Sequence, residues 1–332
     1  MDPWSAELIV VRNAGMSGSE RAAVSRDAAR GRSFRLRQGV FVDRALWDSA
    51  EGWEGERQRH VLRMRALDAV SPYRPVFSHW SACVLHRLPI LGPYLRRLHI
   101  TVENERLRGI DGVSAHLFRL LPEEVTEVGG LLVTQPARTI VDVAGSSSFR
   151  GGVMTADGAL HLGLPRAMLE AAIELAGPRK AHQRILSVAR FAHRDAESAT
   201  ESQLRVSEFE LGIAPQVLQH EVRLDGRFVA RVDSYDERRR IAVEADGDEK
   251  YLNRTMAPEG AGRAVIKEKR REDLLRSAVR GLARCSSAEA ANPSLLLPIL
   301  RRVGLLPERS RPTLSDWAAL ALEADRTRTR RF

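Results

Sequence analysis

Three apolar-alternating segments in the last third of the chain constrain its fold more than any other feature. QVLQHEVRL and RFVARVDSY flank Asp225-Gly226, and RIAVEADG follows after a short charged stretch. Alternation of apolar and polar residues is typical of β-strands, and Asp-Gly between two such segments is a strong signal for a tight hairpin. The pattern predicts three consecutive strands that belong to one sheet.

Three carboxylates lie inside these predicted strands: Asp233, Glu244 and Asp246. Acids are poor strand formers, and they are costly to bury. Glu244 and Asp246 are two residues apart, so their side chains point to the same face of the sheet. If the strand that carries Asp233 pairs with theirs, the three carboxylates converge at one end of the sheet. Each then raises the pKa of the others unless a cation intervenes.

Such a cluster of hard oxygen ligands suits Mg²⁺ or Mn²⁺, which lowers the pKa of bound water and shields an attacked phosphodiester. Glu201, on the helix predicted before these strands, could complete the cluster. The alternative is that Glu244 and Asp246 are exposed edge-strand charges in ion pairs with the arginines at 238–240. Residue types and spacing leave both interpretations open.

The rest of the chain mixes helical and strand patterns, which predicts the α+β class and four segments. Residues 1–50 have the pattern of a winged-helix-like DNA-binding segment, and residues 51–190 that of an α/β middle region. Residues 191–310 hold the predicted mixed sheet, flanked by helices. Residues 311–332 form a basic C-terminal tail, and its last ten residues, EADRTRTRRF, are expected to fray.

The N-terminal segment contains the predicted DNA contacts. SGSERAAVSRDAARGRSFRLRQGVFVD has the pattern of a helix, a glycine turn and a short hairpin, as in a winged helix-turn-helix. The alternative is a small helix-hairpin packing unit with a solvated basic face. In the DNA-binding interpretation, five arginines face phosphates: Arg26, Arg30, Arg32, Arg35 and Arg37.

Composition limits the partners and the compartment. The net charge of +9 favours a polyanionic partner, but only four of the 52 basic residues are lysine, so an arginine-rich coding bias is an alternative explanation. No run of 18 apolar residues exists, and two distant cysteines suit a reducing compartment. The N-terminus also lacks a basic stretch before its short apolar run. We therefore expect a cytoplasmic protein with DNA, and no membrane, as its partner.

One further constellation raises the question of a metal site. His79, Cys83 and His86 share a face of a predicted helix. No fourth ligand is evident, and cysteine is often a small buried apolar residue. Packing therefore explains these three residues better than zinc does.

Several motifs together resemble two protein families. ESQLR, RVDSYD, VEADGDEKY and EKRREDLLR resemble the small endonuclease-like domain related to very-short-patch-repair endonucleases, in the PD-(D/E)XK nuclease superfamily. Upstream, RLRQGVFV, SHWSACVLHRLPI and VTQPARTIVDVA resemble AbiEi-type antitoxin proteins of actinobacteria. The two regions commonly occur together in one chain, and their joint pattern is more specific than any motif alone.

The nuclease resemblance implies roles for individual residues. Glu201 matches the helix carboxylate of the superfamily, and Asp246 occupies the position where lysine is more common. Lys250 and Lys269 are candidates for the displaced positive charge, which would steady the nucleophile or the phosphate. For each lysine the alternative is a solvated surface position. The metal ligands are then Asp233, Glu244 and Asp246, within a candidate catalytic set of Glu201, Asp233, Glu244, Asp246, Lys250 and Lys269.

Two functions are compatible with these motifs. The first is a metal-dependent DNA endonuclease, which the intact carboxylates favour. The second is a non-catalytic DNA-binding regulator that resembles an AbiEi antitoxin and has a cognate toxin as its partner. The second is favoured by Asp246 in place of lysine, and by SAVRGLARCSSAEAANP, whose closing strand is weak and lacks the tryptophan of the relatives. The oligomeric state is not set by either resemblance.

Overall fold

The computed structural model describes residues 2–11, 16–90, 92–104, 109–246 and 261–329, and its fold is of the α+β class, as the sequence predicts. The chain forms two compact units. Unit 1 comprises residues 1–146 and 171–177, and unit 2 comprises residues 147–170 and 178–332. The units do not follow the predicted segments, because 1–50 and 51–146 form one unit together. In the part of the chain that the structure describes, no helix has both the length and the apolar character needed to cross a bilayer.

The start of unit 1 is a helix packed beside a small sheet. Ser17 and Glu20 form a capping box that starts the first helix, in which the Ser17 N–H donates to Glu20 Oε2 at 2.6 Å. The Phe34 and Trp47 rings stack with centroids 4.1 Å apart, and Trp47 shares a core with Leu62 from a later helix. This shared core explains why the predicted segments 1–50 and 51–190 are not separate. The sheet order is β1-β3-β2, and the elements are α1 (Gly18–Ala29), α2 (Arg44–Asp48), β1 (Ile9–Val10), β2 (Ser33–Arg37) and β3 (Val40–Asp43).

The rest of unit 1 is a mixed five-stranded sheet with helices. Its order is β6-β5-β4-β8-β7, with β5 parallel to β6 and β4 parallel to β8. Arg138 is buried and is held by Asp142, at 2.8 Å, and by Glu124. The elements are α3 (Gly52–Val70), β4 (Val76–Phe77), α4 (His79–Leu85), β5 (Leu98–Val102), β6 (Val113–Leu117), β7 (Val125–Val128), β8 (Leu131–Thr134) and α5 (Pro136–Ser146).

Unit 2 begins with helices that pack on one another. Arg205 donates to buried Asp157 at 2.6 Å and to the Phe191 carbonyl at 2.8 Å. This buried ion pair ties the helices before residue 191 to those after it, and it explains why the predicted boundary at residue 190 does not separate two units. The elements are α6 (Phe149–His161), α7 (Arg166–Ala176), which continues beyond residue 170 into unit 1, α8 (His182–Phe191) and α9 (Ala199–Leu211).

The C-terminal sheet is mixed and has a helix on each face. Its order is β12-β11-β10-β9, with β11 and β12 parallel and the other pairs antiparallel. On one face, Leu204 of α9 shares a core with Val243 and Ala283; on the other, Leu275 of the next helix packs with Ala242. The elements are β9 (Val217–Leu224), β10 (Arg227–Asp236), β11 (Ile241–Asp246), α10 (Ala261–Ala278) and β12 (Gly281–Ser286).

Two local expectations about this sheet have different outcomes. The Asp225-Gly226 hairpin is confirmed, because Leu224 pairs with Arg227 and both turn residues have positive φ, at 49° and 77°. The expected weakening of the closing strand is wrong, because β12 pairs with β11 at six successive positions, from Gly281 to Ser286. Small and apolar side chains at 282, 283 and 285 fill the two faces without tryptophan.

The stretch expected to fray, 323–332, is helical up to Thr329, the last residue that the structure describes. Three helices follow β12: α11 (Ser287–Ala290), α12 (Pro293–Arg302) and α13 (Leu314–Thr329). Trp317 and Ala321 lie one turn apart on α13 and are both buried. The Trp317 ring stacks on Phe191 with centroids 5.1 Å apart. An apolar anchor near the start of the helix therefore orders a basic segment that would fray by composition alone.

Candidate functional site

The predicted carboxylates lie at one edge of the C-terminal sheet, called the acidic edge here and formed by Glu201, Asp233, Glu244 and Asp246. The pairing of β10 with β11 runs from Asp236–Ile241 to Ser234–Val243. Beyond that pair, Asp233 Oδ2 accepts a hydrogen bond from the Ala245 N–H at 2.8 Å. The Asp233 carboxylate therefore takes the place of a backbone carbonyl at this point of the ladder.

Glu244 is 7% exposed and is bound by two arginines. Its Oε2 accepts from Arg284 Nε at 2.7 Å, and its Oε1 accepts from Arg271 Nη2 at 3.2 Å. Arg284 is the residue of β12 that pairs with Glu244, and Arg271 reaches it from α10. Burial lowers the pKa of Arg284, but the carboxylates of Glu244, Glu272 and Asp246 outweigh burial and raise it. The positive charge that balances Glu244 therefore comes from Arg284 and Arg271.

Glu201 lies in the first turn of α9, where it is also satisfied within the chain. It accepts hydrogen bonds from the Glu197 N–H at 2.9 Å, from Ser198 Oγ at 2.8 Å and from Gln219 Nε2 at 2.9 Å. Burial and, to a smaller extent, the charge of Asp233 outweigh the hydrogen bonds, which lower the pKa of Glu201, and together they raise it to about 7. The expectation that Glu201 completes the carboxylate cluster stays a prediction.

Glu208 is a buried acid on α9 that sequence reasoning missed. It lies two turns after Glu201 on the same helix and is fully buried. Among the described residues, neither of its carboxyl oxygens has a hydrogen-bond partner. Burial raises its pKa to about 8, Arg205 opposes this and Asp236 adds to it. Its spacing of seven from Glu201 was the available signal, since both residues fall on the helix face that meets the sheet.

The lysine expectations are only partly covered by the described residues. Lys250 lies outside them, whereas Lys269 is on α10 with an exposed side chain. The α10 cation in contact with Glu244 is Arg271, two residues further along. Sequence reasoning singled out Lys269 of EKRREDLLR and missed Arg271 of the same motif and Arg284. The available signal for Arg284 was its position in the strand that follows α10, the strand that closes the sheet.

The fit of the acidic edge to a divalent cation follows from these contacts. Among the described residues, no three His, Cys, Asp or Glu side chains are grouped in a way that could hold a metal ion. Both oxygens of Glu244 are bound to guanidinium groups, and Asp233 binds a backbone N–H. Burial raises the pKa of the neighbouring Cys285 thiol to about 12, which keeps it protonated and unsuited to metal. As arranged, the described side chains do not fit Mg²⁺ or Mn²⁺.

The five predicted DNA-binding arginines differ in exposure. Arg26, Arg30, Arg32 and Arg35 are exposed, and Arg32 forms a 3.4 Å ion pair with Asp27. Arg37 is half-buried, and burial lowers its pKa while Asp111 opposes the shift. The helix α1, which carries Arg26, has no buried residue at all. Its residues are exposed or half-buried, so much of its surface is available to solvent or a partner.

The histidines and the cysteine of α4 do not gather around a common point. His86 is within hydrogen-bond distance of the Thr134 carbonyl, at 2.7 Å, and Cys83 is buried. The His79 ring instead stacks on His116, with centroids 3.5 Å apart. These contacts agree with the packing interpretation.

No known protein-family model matches this chain, and no curated protein matches it in sequence. The resemblance to AbiEi-type antitoxins and to very-short-patch-repair endonucleases therefore rests on the sequence motifs alone.

Proposed function

We propose that this chain is a DNA-binding protein whose C-terminal sheet does not cleave DNA, in the manner of a non-catalytic regulator. The observation that carries DNA binding is the character of α1 and the following hairpin. Between Ser17 and Arg37 there are six arginines and only two acids, and α1 has no buried residue. Such a segment is suited to bind the phosphates of duplex DNA, because each guanidinium that replaces a condensed counterion adds to the affinity.

The absence of cleavage is supported by the state of the acidic edge. A metal-dependent nuclease needs carboxylate oxygens that are available to the cation, and both Glu244 oxygens are bound by Arg284 and Arg271. A metal could bind Glu244 only if both arginines moved away. That is costly, because the carboxylate is 7% exposed and both guanidinium groups would need new partners. The resemblance to AbiEi-type antitoxins adds a cognate toxin as the proposed protein partner.

A metal-dependent endonuclease is the second candidate, and a specific observation favours it. The charge of Asp233 raises the pKa of Glu201, which supports a placement of these two carboxylates near one another. The mixed sheet with a helix on each face is also the architecture that the nuclease resemblance implies. This candidate requires that Glu244 releases Arg271 and Arg284 and binds a metal cation instead when DNA is bound.

DNA binding is tested by fluorescence anisotropy on the full chain with a duplex of about 25 base pairs, over a series of salt concentrations. We expect affinity to fall steeply with salt, and Arg26→Gln with Arg30→Gln to reduce the slope of log K against log salt by about 2, since about 0.9 counterion is released per phosphate contact. Arg119→Gln with Arg309→Gln removes the same charge from two other exposed positions and is the matched control. No binding at low salt, or equal losses in both double variants, would contradict the proposal.

Cleavage is tested with supercoiled plasmid in Mg²⁺ and in Mn²⁺. We expect no nicking above a protein-free blank, and no rise in melting temperature with either metal, because a ligand that binds only the folded state must raise it. Metal-dependent nicking by the wild-type chain that is lost in both Asp233→Asn and Glu244→Gln would establish the endonuclease instead.

A further inference from the structure

Unit 1 contains a cleft of about 900 Å³, called the arginine cleft here. Its walls come from the end of β2, from the second half of α3, from the start of β5 and from the segment before β6. The volume falls within the range of roughly 300–1,000 Å³ that is usual for small-molecule sites. The cleft is therefore large enough for a nucleotide-sized ligand.

The charge of the lining is strongly one-sided. Among the described residues that line the cleft, five are arginines and Asp111 is the single acid. Arg97 donates to Ser114 Oγ at 3.0 Å and is held in place by that bond. Within the described part of the chain, the side chains of the other four form no hydrogen bond and no ion pair. The five arginines are Arg35, Arg37, Arg63, Arg96 and Arg97.

Two of these cations are partly withdrawn from water. Burial lowers the pKa of Arg37 and of Arg63, and the nearby acids Asp111 and Glu56 only partly offset it. Arg63 lies over the Trp47 ring at 5.2 Å, a contact that fixes its direction without neutralising it. Since desolvated charges are costly unless paired, an anion in the cleft would relieve this cost.

Part of the lining of the cleft is apolar. Leu67, Leu95 and Leu98 are each at most 5% exposed, so they form part of the core while they line the cavity. A lining that combines buried leucines with several guanidinium groups suits a ligand with a flat or apolar part and a charged part. Guanidinium groups bind phosphate oxygens in pairs, and a surplus of four positive charges matches two or three phosphate groups better than a single carboxylate.

We propose that the arginine cleft binds a small phosphorylated molecule with two or more phosphate groups, of the nucleoside di- or triphosphate class. The site does not depend on the proposed DNA-binding function, although Arg35 and Arg37 figure in both. Duplex DNA offers phosphates of the same chemistry, but its backbone has no apolar part to lie on the leucines. The small ligand is therefore the better match.

Calorimetric titration of the full chain with sodium pyrophosphate, ATP and adenosine tests the site. We expect saturable binding of ATP and of pyrophosphate, and none of adenosine at the same concentration. Arg63→Gln and Arg96→Gln should each weaken ATP about tenfold or more, which is the scale of one charge-assisted hydrogen bond. Arg119→Gln, an exposed arginine of unit 1 outside the cleft, should change the affinity less than twofold.

Arg96 is exposed, so Arg96→Gln keeps the test valid if Arg63→Gln fails to fold. No saturable binding of ATP or pyrophosphate to the folded wild-type chain at low ionic strength would overturn the proposal. Equal losses in Arg96→Gln and Arg119→Gln would overturn it too, because they would indicate general attraction to a basic surface. Competition with a short DNA duplex separates the two phosphate sources. If Arg63→Gln and Arg96→Gln weaken duplex binding as much as ATP binding, the cleft holds the DNA backbone and the small-ligand assignment is wrong.

Discussion

The arginine cleft of unit 1 and the acidic edge of unit 2 differ in whether their charged side chains have partners within the protein. In the cleft, four arginines have no ion-pair partner among the described residues, and a single acid faces five cations. At the acidic edge, Glu244 has two arginines, while Glu201 has three hydrogen-bond donors. The cleft has a surplus of positive charge, whereas Glu244 and Glu201 at the acidic edge have partners within the chain.

This difference distinguishes a binding site from a structural one. A charge that the protein does not neutralise is available to a ligand, and its desolvation is offset only when the ligand arrives. A charge that the protein neutralises no longer attracts a metal or a phosphate, and removal of one of its partners is destabilising because it leaves the charge uncompensated. Substitutions at the two places should therefore change stability in opposite directions.

The largest expected effect concerns Glu208, a buried acid of unit 2 that is neutral because it keeps its proton. The unfolded chain has the ordinary glutamate pKa of 4.5, whereas folded Glu208 has a pKa of about 8. Only the unfolded state releases the proton between these values, so the free energy of unfolding falls as pH rises from 4.5 to 8. Glu208→Gln should remove this loss and be more stable than the wild type by roughly 2–4 kcal/mol at pH 9, with little difference near pH 5.

Urea unfolding at both pH values measures this effect. Glu323→Gln, which removes one exposed carboxylate from α13, is the control. A Glu208→Gln variant that is less stable than the wild type at pH 9 would show that Glu208 is charged and paired, and that unit 2 does not neutralise it by protonation.

The next effect concerns Glu244, the acid of unit 2 that is paired with arginines. Arg284→Met should lower the free energy of unfolding by about 2 kcal/mol, because it leaves the nearly buried Glu244 with one cation. This is below the usual loss for a fully buried pair, since the Arg284 side chain is 30% exposed. Adding Glu244→Gln should restore part of the loss, whereas Arg280→Met, an exposed site one residue before β12, should have little effect. If Arg284→Met and the wild type unfold at the same urea concentration, Glu244 does not depend on its ion pair with Arg284.

The smallest effect lies in the cleft, and its sign is opposite to that expected for Arg284→Met. Arg37→Met should raise the free energy of unfolding of the ligand-free protein by no more than about 0.5 kcal/mol, because it removes a desolvated cation but keeps an apolar side chain of similar length. Thermal unfolding at low ionic strength is the measurement, with Arg119→Met as the control. A loss of more than about 1 kcal/mol, the scale of a hydrogen bond, would show that Arg37 has a partner within the protein and that the cleft is not short of anions.

The sequence by itself determined the local features of this protein. Apolar alternation and Asp225-Gly226 specified β9, β10 and their hairpin, because strand period and positive φ are properties of the residues themselves. The same period placed Glu244 and Asp246 on one face of β11. The α+β class followed from the mixture of patterns. Composition alone failed at the C-terminus, where Trp317 anchors a helix in place of the expected frayed tail.

Tertiary structure decided which charges meet. Arg284 binds Glu244 because β12 pairs parallel to β11, forty residues later, and Arg271 joins them because α10 packs over the sheet. The arginine cleft likewise gathers residues from four separate stretches between Arg35 and Gly112. A sequence specifies a side chain's charge and its face on an element, whereas its partner depends on which elements lie side by side. That choice is made by burial of the apolar cores, which is why the acids could be located from the sequence and their neutralisation could not.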